Sequence, residues 1–393
     1  MPSVVCAQPA VPVTDRAPGT RVKFRSESLA LLVPVSLNGA PRLFFVDTGA
    51  TMTAVDRSFR DILGVALRTA TVRTPDGKAE MDVFKAPPAT IAGGPLTGVR
   101  EVLCLDLSGV RGAVGDDFYG ILGMDFLRHR TVRIDFDRGE VLFSATVPDD
   151  AGTPIPLEVW PKHPPTVTLA VAGLGDVTFL VDTGSSESGS LDARLSASLL
   201  ANGGAASAGT TSSQSVVGSS TSRMVRVAEI ALGNFRHRRI VFSEGEANVL
   251  GLGYLSRYIV TFDFPRKRLY LKRGARFDAP ALCDLGGPGI VRSNRSTLIS
   301  DVDQGSAADF AGLEVGDVIQ RVDDDDTESL TLTQIRKRFC IPGLHRLRIM
   351  RGSEKLHIAL VLIGADAQET PPRTTAPKKR DKGPDTGRLR HTR

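Results

Sequence analysis

The first strongly patterned stretch of the chain is a pair of apolar runs split by a tight-turn dipeptide. Leu31 to Leu37 and Leu43 to Val46 flank Asn38-Gly39, and Asn-Gly between apolar arms predicts a two-residue β-hairpin. The second arm, Leu43-Phe44-Phe45-Val46, ends on Asp47-Thr48-Gly49-Ala50. The same grammar returns downstream. Thr166 to Val171 leads through Gly173-Leu174-Gly175-Asp176 into Val177 to Val181, which ends on Asp182-Thr183-Gly184-Ser185. A carboxylate closing a buried strand is costly to desolvate unless it is paired or hydrogen-bonded. The Gly that follows permits a tight turn, and the Thr hydroxyl supplies a local donor and acceptor. Two such turns face to face would place two carboxyls close enough to share one proton.

The apolar pattern repeats beyond these turns as well. Ile121-Leu122-Gly123-Met124-Asp125-Phe126-Leu127 continues through the strand signals Thr131 to Phe136 and Val141 to Phe143. Val249-Leu250-Gly251-Leu252-Gly253-Tyr254-Leu255 continues through Ile259 to Phe264 and Leu269 to Leu271. These blocks align without a gap at an offset of 128 residues, against 135 for the two Asp-Thr-Gly turns. Two equivalent lobes of short strands follow from the repeat, 25–150 and 151–276. A third tripeptide, Asp385-Thr386-Gly387, has no apolar strand before it and is read as chance.

Composition narrows the class without naming it. The chain has 393 residues, 41% hydrophobic, the profile of a globular protein with room for two or three domains. No apolar run approaches the roughly 20 residues of a membrane span. The segment 365–393 carries eight basic residues against four acidic ones and holds most of the net charge of +5, so the charge does not support a basic nucleic-acid-binding body, and a disordered basic tail is expected. Residues 1–24 read as a leader, either disordered or the remnant of a signal peptide. The compartment stays open; a full signal peptide upstream would favour a periplasmic or secreted protein. Cys6, Cys104, Cys283 and Cys340 have neither zinc nor disulfide-framework spacing, and the six histidines form no ligand-like pair. No metal and no cofactor is implied.

A lobe that reads hairpin, apolar-apolar-Asp-Thr-Gly-Ala/Ser, strands, then apolar-Leu-Gly resembles the retropepsin-like aspartic proteases, and the resemblance covers both lobes from about Leu29 to Leu271. It implies a bilobal, mainly β fold in which one chain does what two identical chains do in retroviral enzymes. It further implies that Asp47 and Asp182 are the catalytic pair and that Thr48 and Thr183 brace each other across the lobes. Gly49 and Gly184 would shape the turns, with Ala50 and Ser185 beside them. Ile121, Leu122 and Gly123, with Val249, Leu250 and Gly251, would pack behind the site. Ser185 offers a hydroxyl donor that Ala50 does not, so the upper limb of an acidic pH profile is expected above that of pepsin. Gly253 departs from Asp125, and neither expected flap carries a Tyr. The first flap, Thr71 to Phe84, has a hairpin tip at Pro75-Asp76-Gly77; the second, Ala205 to Ser222, is Ser, Thr, Gly and Ala apart from Val216-Val217 and reads as a mobile loop.

Past Arg273 the pattern changes. Ser306-Ala307-Ala308, Ala311-Gly312-Leu313 and Gly316-Asp317-Val318-Ile319 form a short helix, a Gly stop and a turn into a strand. This resembles the core of bacterial PDZ domains, over 277–364, a small α+β unit. The resemblance implies a peptide-binding loop at Gly287, Gly289 and Ile290 that captures a ligand's C-terminus, although Pro288 removes one donor. Asp323 to Asp326 reads as an exposed turn, since no EF-hand spacing surrounds it. The expected function is an aspartic-type endopeptidase with a protein or peptide substrate, active as a monomeric pseudo-dimer, whose PDZ module recognises substrate or partner. The competing reading is a non-catalytic peptide-binding or scaffold protein.

Overall fold

The computed structural model describes residues 19–25, 30–74, 77–161, 163–214, 219–280 and 285–364. The leader to residue 18, the tail from residue 365 and the hairpin tips Pro75-Asp76 and Val216-Val217 lie outside the described residues.

The Asn38-Gly39 turn forms as the sequence dictates. Both residues have positive φ, 49° and 81°, and join strands Leu32–Leu37 and Ala40–Val46 in register from Leu37 against Ala40 to Leu32 against Phe45. The strand that ends at Asp47 then takes a parallel neighbour from far along the chain. Gly120, Ile121 and Leu122 lie beside Phe44, Phe45 and Val46. Lobe 2 repeats the arrangement with Gly175–Val181 antiparallel to Thr166–Val171 and parallel to Val249–Leu250. A nine-stranded sheet holds lobe 1 and a seven-stranded sheet holds lobe 2, and one continuous apolar core runs through both.

A third sheet ties the lobes together. Its six strands run in the order Gly19–Lys23, Glu140–Ser144, Thr131–Asp135, Tyr258–Asp263, Arg268–Arg273 and Thr153–Pro156. Three come from each lobe, and the seam is the antiparallel pair Thr131–Asp135 with Tyr258–Asp263. Arg133 lies opposite Thr261, which is its own counterpart in the repeat, while Thr131 faces Asp263 and Asp135 faces Ile259. That self-complementary register is what a two-fold-symmetric dimer interface leaves when its halves are fused.

Three expectations need correction. Gly19–Lys23 lies within the expected disordered leader but is an edge strand on Glu140–Ser144; its partner is more than a hundred residues away, so no local pattern announces it. Ala205 to Ser222 is not a slack loop. Strands Ala205–Gln214 and Ser219–Leu232 form a long antiparallel hairpin, because cross-strand backbone pairing overrides the weak strand preference of Ser, Gly and Ala. Phe277, placed at the start of the C-terminal domain, packs on His237, Phe235 and Tyr258 in the lobe core.

The C-terminal domain has its own core, built from Ile290, Ile299, Ile319, Ile335, Phe339, Leu347, Ile349 and Leu360 among others. Strands Gly289–Ser293, Ser296–Asp301, Val318–Val322, Gly343–Arg351 and Glu354–Leu362 form the sheet in that order, with Gly289–Ser293 at one edge. Helix Leu332–Phe339 starts at a capping box: Thr331 Oγ1 accepts from Gln334 N, and the Gln334 side chain accepts from Thr331 N. Asp323 does sit in a turn, with φ 54°, but it accepts hydrogen bonds from Arg346 N and pairs with the ring of His345. No helix among the described residues is long and apolar enough to cross a membrane.

Candidate functional site

Each Asp-Thr-Gly turn is set by the parallel strand beside it. Asp47 N donates to the Leu122 carbonyl at 3.0 Å and Asp182 N to the Leu250 carbonyl at 2.9 Å, so the ladder fixes where each carboxyl leaves its sheet. Gly123 and Gly251 then let the chain cross directly beneath the turn. A Cβ on Gly123 would sit 2.5 Å from the backbone of Met52, and one on Gly251 would sit 2.4 Å from the Glu187 carbonyl. Ile121, Leu122, Val249 and Leu250 thus lie in strands parallel to those that lead into the two turns, with Gly123 and Gly251 just beyond them.

The turns meet across the lobe interface through a reciprocal hydroxyl network. Thr48 N donates to Thr183 Oγ1 at 3.0 Å and Thr183 N donates to Thr48 Oγ1 at 3.0 Å. Each hydroxyl in turn donates to the opposite strand, Thr48 Oγ1 to the Val181 carbonyl at 2.6 Å and Thr183 Oγ1 to the Val46 carbonyl at 2.8 Å. Both threonines are buried, so these are four satisfied contacts in a place where an unpaired polar group costs most.

This network brings the carboxyls together. A Cβ on Gly49 would lie 2.5 Å from Asp182 Oδ1, and one on Gly184 would lie 2.7 Å from Asp47 Oδ1, so only glycine fits at either position. Asp47 Oδ1 accepts from Gly49 N at 2.7 Å and Ala50 N at 3.1 Å; Asp182 Oδ1 accepts from Gly184 N at 2.7 Å. Burial, then the charge of Asp182 and a hydrogen bond to it, push the Asp47 carboxyl well above the ordinary carboxylate range. Burial raises Asp182 too, opposed by the amides of Gly184, Ser185 and Gly49 and by the hydrogen bond from Asp47. The two acids therefore titrate as a pair that holds one proton between them. The expected help from the Ser185 hydroxyl is not found. Its Oγ lies against Gly251, and among the described residues no hydrogen bond from it reaches Asp182.

Two features of the site had little signal in the sequence. Glu187 follows Asp182 by five residues in a serine-rich turn, and its Oε1 accepts from Thr211 Oγ1 of the long lobe 2 hairpin at 3.3 Å. Burial raises its pKa, with bonds from Ser243 and Thr211 opposing. Its one available cue was an acidic residue in an otherwise small, uncharged loop. In lobe 1 Asp125 accepts from Thr53 N at 3.0 Å and Thr53 Oγ1 at 2.7 Å, locking the stretch after the turn to the helix Met124–Leu127. The contrast of Asp125 with Gly253 hinted at this difference but not at Thr53. In the C-terminal domain, Gly289 opens the edge strand opposite Asp301, and Ile290 is buried in the domain core. No group of three or more His, Cys, Asp or Glu residues arranged to hold a metal ion occurs among the described residues.

Comparison with known families agrees with this layout. The family model described as aspartyl protease matches the chain twice, over residues 33–126 and 167–258, and the PDZ domain model matches residues 284–339. A search of curated proteins finds no match to the chain. With both turns inside the matched segments, the chain carries two retropepsin-like aspartyl protease domains in tandem, followed by a C-terminal PDZ domain.

Proposed function

We propose that this protein is an aspartic-type endopeptidase in which one chain completes one site, Asp47 and Asp182 being the catalytic pair. The observation that carries the reading is the meeting of the two carboxyls, each filling the space left by the other turn's missing Cβ. A peptide-binding module gains nothing from two half-buried, adjoining acids that repel one another when both ionise. The ionised member of the pair takes a proton from a water held between the two acids as that water attacks the scissile carbonyl. Its protonated partner donates to the carbonyl oxygen, giving a neutral gem-diol. Collapse returns that proton to the partner while the first acid delivers its own to the departing amine, so atoms and charges balance and no acyl-enzyme forms. The two long hairpins, Arg68–Thr74 with Gly77–Lys85 and Ala205–Gln214 with Ser219–Leu232, cover the substrate and exclude bulk water. The PDZ domain supplies recognition of a partner or substrate.

Digestion of casein and of a peptide library from about pH 2 to pH 7 tests the reading, since the pair in pepsin holds one proton between about pH 1.5 and about pH 4.7. Cleavage is expected in acid and is lost in Asp47→Asn and in Asp182→Asn. A wild-type chain that cleaves nothing across the range, or a covalent intermediate trapped by rapid quench and mass spectrometry, overturns it.

A further inference from the structure

Peptides bind PDZ domains by adding a strand to an open sheet edge beside a helix, with the free carboxylate held by backbone amides. Here the open edge is Gly289–Ser293 and the neighbouring helix is Leu332–Phe339. The gap between them is already filled by helix Ser108–Val114 of lobe 1. A Cβ on Gly112 would lie 3.4 Å from the Arg292 carbonyl and 3.9 Å from Val291 Cβ, which places this helix against the edge strand. At its end Gly115, with φ 81°, abuts Leu332: a Cβ there would be 2.8 Å from the leucine Cγ. Arg336 closes the contact from the PDZ side. Its Nη2 donates to the Ala113 carbonyl at 2.9 Å and to the Ile290 carbonyl at 2.8 Å, pinning the last turn of the lobe helix, the edge strand and the PDZ helix to one guanidinium. The Ala113 carbonyl is one of those a helix end leaves without an internal partner, so the arginine satisfies a group that otherwise needs water.

The helix is anchored to its own lobe on the other side. Arg111 Nη1 donates to Asp56 Oδ2 at 2.7 Å and to the Phe118 carbonyl at 3.2 Å. Lobe 2 has no counterpart, since its strand Phe235–Gly245 passes to Val249–Leu250 through three residues. The helix is therefore an addition to one lobe at the point where the PDZ groove lies.

We propose that helix Ser108–Val114 is an internal ligand that shuts the PDZ groove, so that an extended peptide ending in a free carboxylate enters only by evicting it. Eviction reaches the dyad by a short route. Thr210 of the long lobe 2 hairpin donates to Asp303 of the PDZ domain, and its neighbour Thr211 donates to Glu187 on the turn that carries Asp182. Successive strand residues face opposite ways, so one strand links the PDZ domain on one face to the active-site turn on the other. A PDZ domain that lets go of lobe 1 to take a peptide withdraws the Asp303 contact and frees that hairpin.

The test uses the full chain and reads hydrogen exchange and binding, not peptidase activity, so it stands apart from the assignment of the dyad. In Arg336→Ala, and separately in Gly112→Trp, which wedges the helix off the edge strand while leaving every PDZ residue unchanged, exchange at 108–115 and 289–293 is expected to rise together by about tenfold or more, while the inter-lobe sheet stays protected. A library of heptapeptides with free C-termini is expected to bind the released variants about tenfold or more tighter than the wild type, and amide-capped versions to bind neither. Unchanged exchange in Gly112→Trp, equal binding by wild type and variants, or carboxylate peptides that bind none of them overturns the proposal.

Discussion

The two lobes share a plan and differ in how they hold the ground behind the dyad. Lobe 1 uses a side chain: Asp125 at the start of helix Met124–Leu127 reaches back to Thr53 and takes both its amide and its hydroxyl. Lobe 2 uses contact. Gly253 replaces the aspartate, donates its amide to the Glu187 carbonyl at 2.8 Å, and comes so close that a Cβ would lie 2.7 Å from Glu187 C and Ser188 N. The same strand end is thus fixed once by a charge-assisted clamp and once by backbone approach. The difference teaches that the lobes keep the dyad, the threonine network and the strand plan around them in common, while the contacts behind the turns have specialised. Lobe 1 carries the helix that meets the PDZ domain, and lobe 2 carries the half-buried Glu187 and the hairpin that touches both.

The largest expected effect tests whether unlike lobes make one site. Asp47→Asn and Asp182→Asn should each lower cleavage by about 10³-fold or more, because a lone carboxyl cannot serve as both acid and base, and mixing the two variants should restore nothing. If either variant, its fold verified by circular dichroism, kept about half the activity, like lobes would be pairing between chains.

Next comes the threonine network, where the lobes should respond alike. Thr48→Val or Thr183→Val strands the opposite amide and carbonyl, each unpaired group costing about 1–3 kcal/mol, whereas Thr→Ser keeps every bond and should cost far less. Chemical denaturation of all four variants checks this; a strongly unequal cost for the two valines would break the symmetry. Behind the dyad the lobes should diverge. Asp125→Gly removes the clamp and leaves the Thr53 amide unpaired, at about 1–3 kcal/mol, while Gly253→Ala forces a methyl into backbone at a cost of similar size or larger. Asp125→Asn retains acceptors for Thr53 and should be the mildest of the three.

The smallest effects are in pH dependence, and the lobes' buried groups pull in opposite directions. The dyad's pKa values are raised by burial, so the folded chain holds a proton that the unfolded chain has released; stability rises as pH falls through that window, and Asp47→Asn should raise Tm at neutral pH. His237 does the reverse. Burial beside Tyr258 and the charge of Arg257 lower it from 6.5 to about 4, so the unfolded state binds the proton first and stability falls as pH drops from about 6.5 toward 4. His237→Gln should flatten that acid loss, as thermal melts at a series of pH values would read.

Much of this was legible because it was written locally. Asn38-Gly39 between apolar arms named its hairpin, and the apolar arm ending on Asp-Thr-Gly named each turn. The Ile121 and Val249 blocks were visible as repeats, though not as the parallel neighbours that aim the carboxyls. What the sequence hid lies in pairings between distant segments. Gly19–Lys23 is too short and too charged to read as a strand until Glu140–Ser144 supplies its partner. Ala205 to Ser222 has the composition of a linker, yet the backbones of Ala205 to Ser207 and of Thr210 to Gln214 pair across the hairpin whatever their side chains. Phe277 looked like the first residue of the next domain because nothing in its neighbours records the aromatic cluster it completes. Helix Ser108–Val114 packs its valines, Val110 and Val114, on the core of its own lobe and so declares no outside partner; its glycines permit close approach, and the contact is made by backbone and one arginine from another domain.

The seam of the six-stranded sheet has a consequence for pairing among copies. Because Thr131–Asp135 meets its own repeat equivalent, the edge of lobe 1 is shaped to accept a second lobe 1 nearly as well as lobe 2. In that mismatched pair Arg133 would face Arg133, two buried guanidiniums side by side on one face, which is repulsive in a ladder. Opposite Thr261 the arginine has an uncharged neighbour and turns its fork onto Asp150 at 2.6 and 3.0 Å. One cation at the centre of the seam thereby steers each newly made lobe 1 away from its twin on another chain and toward the lobe that follows it.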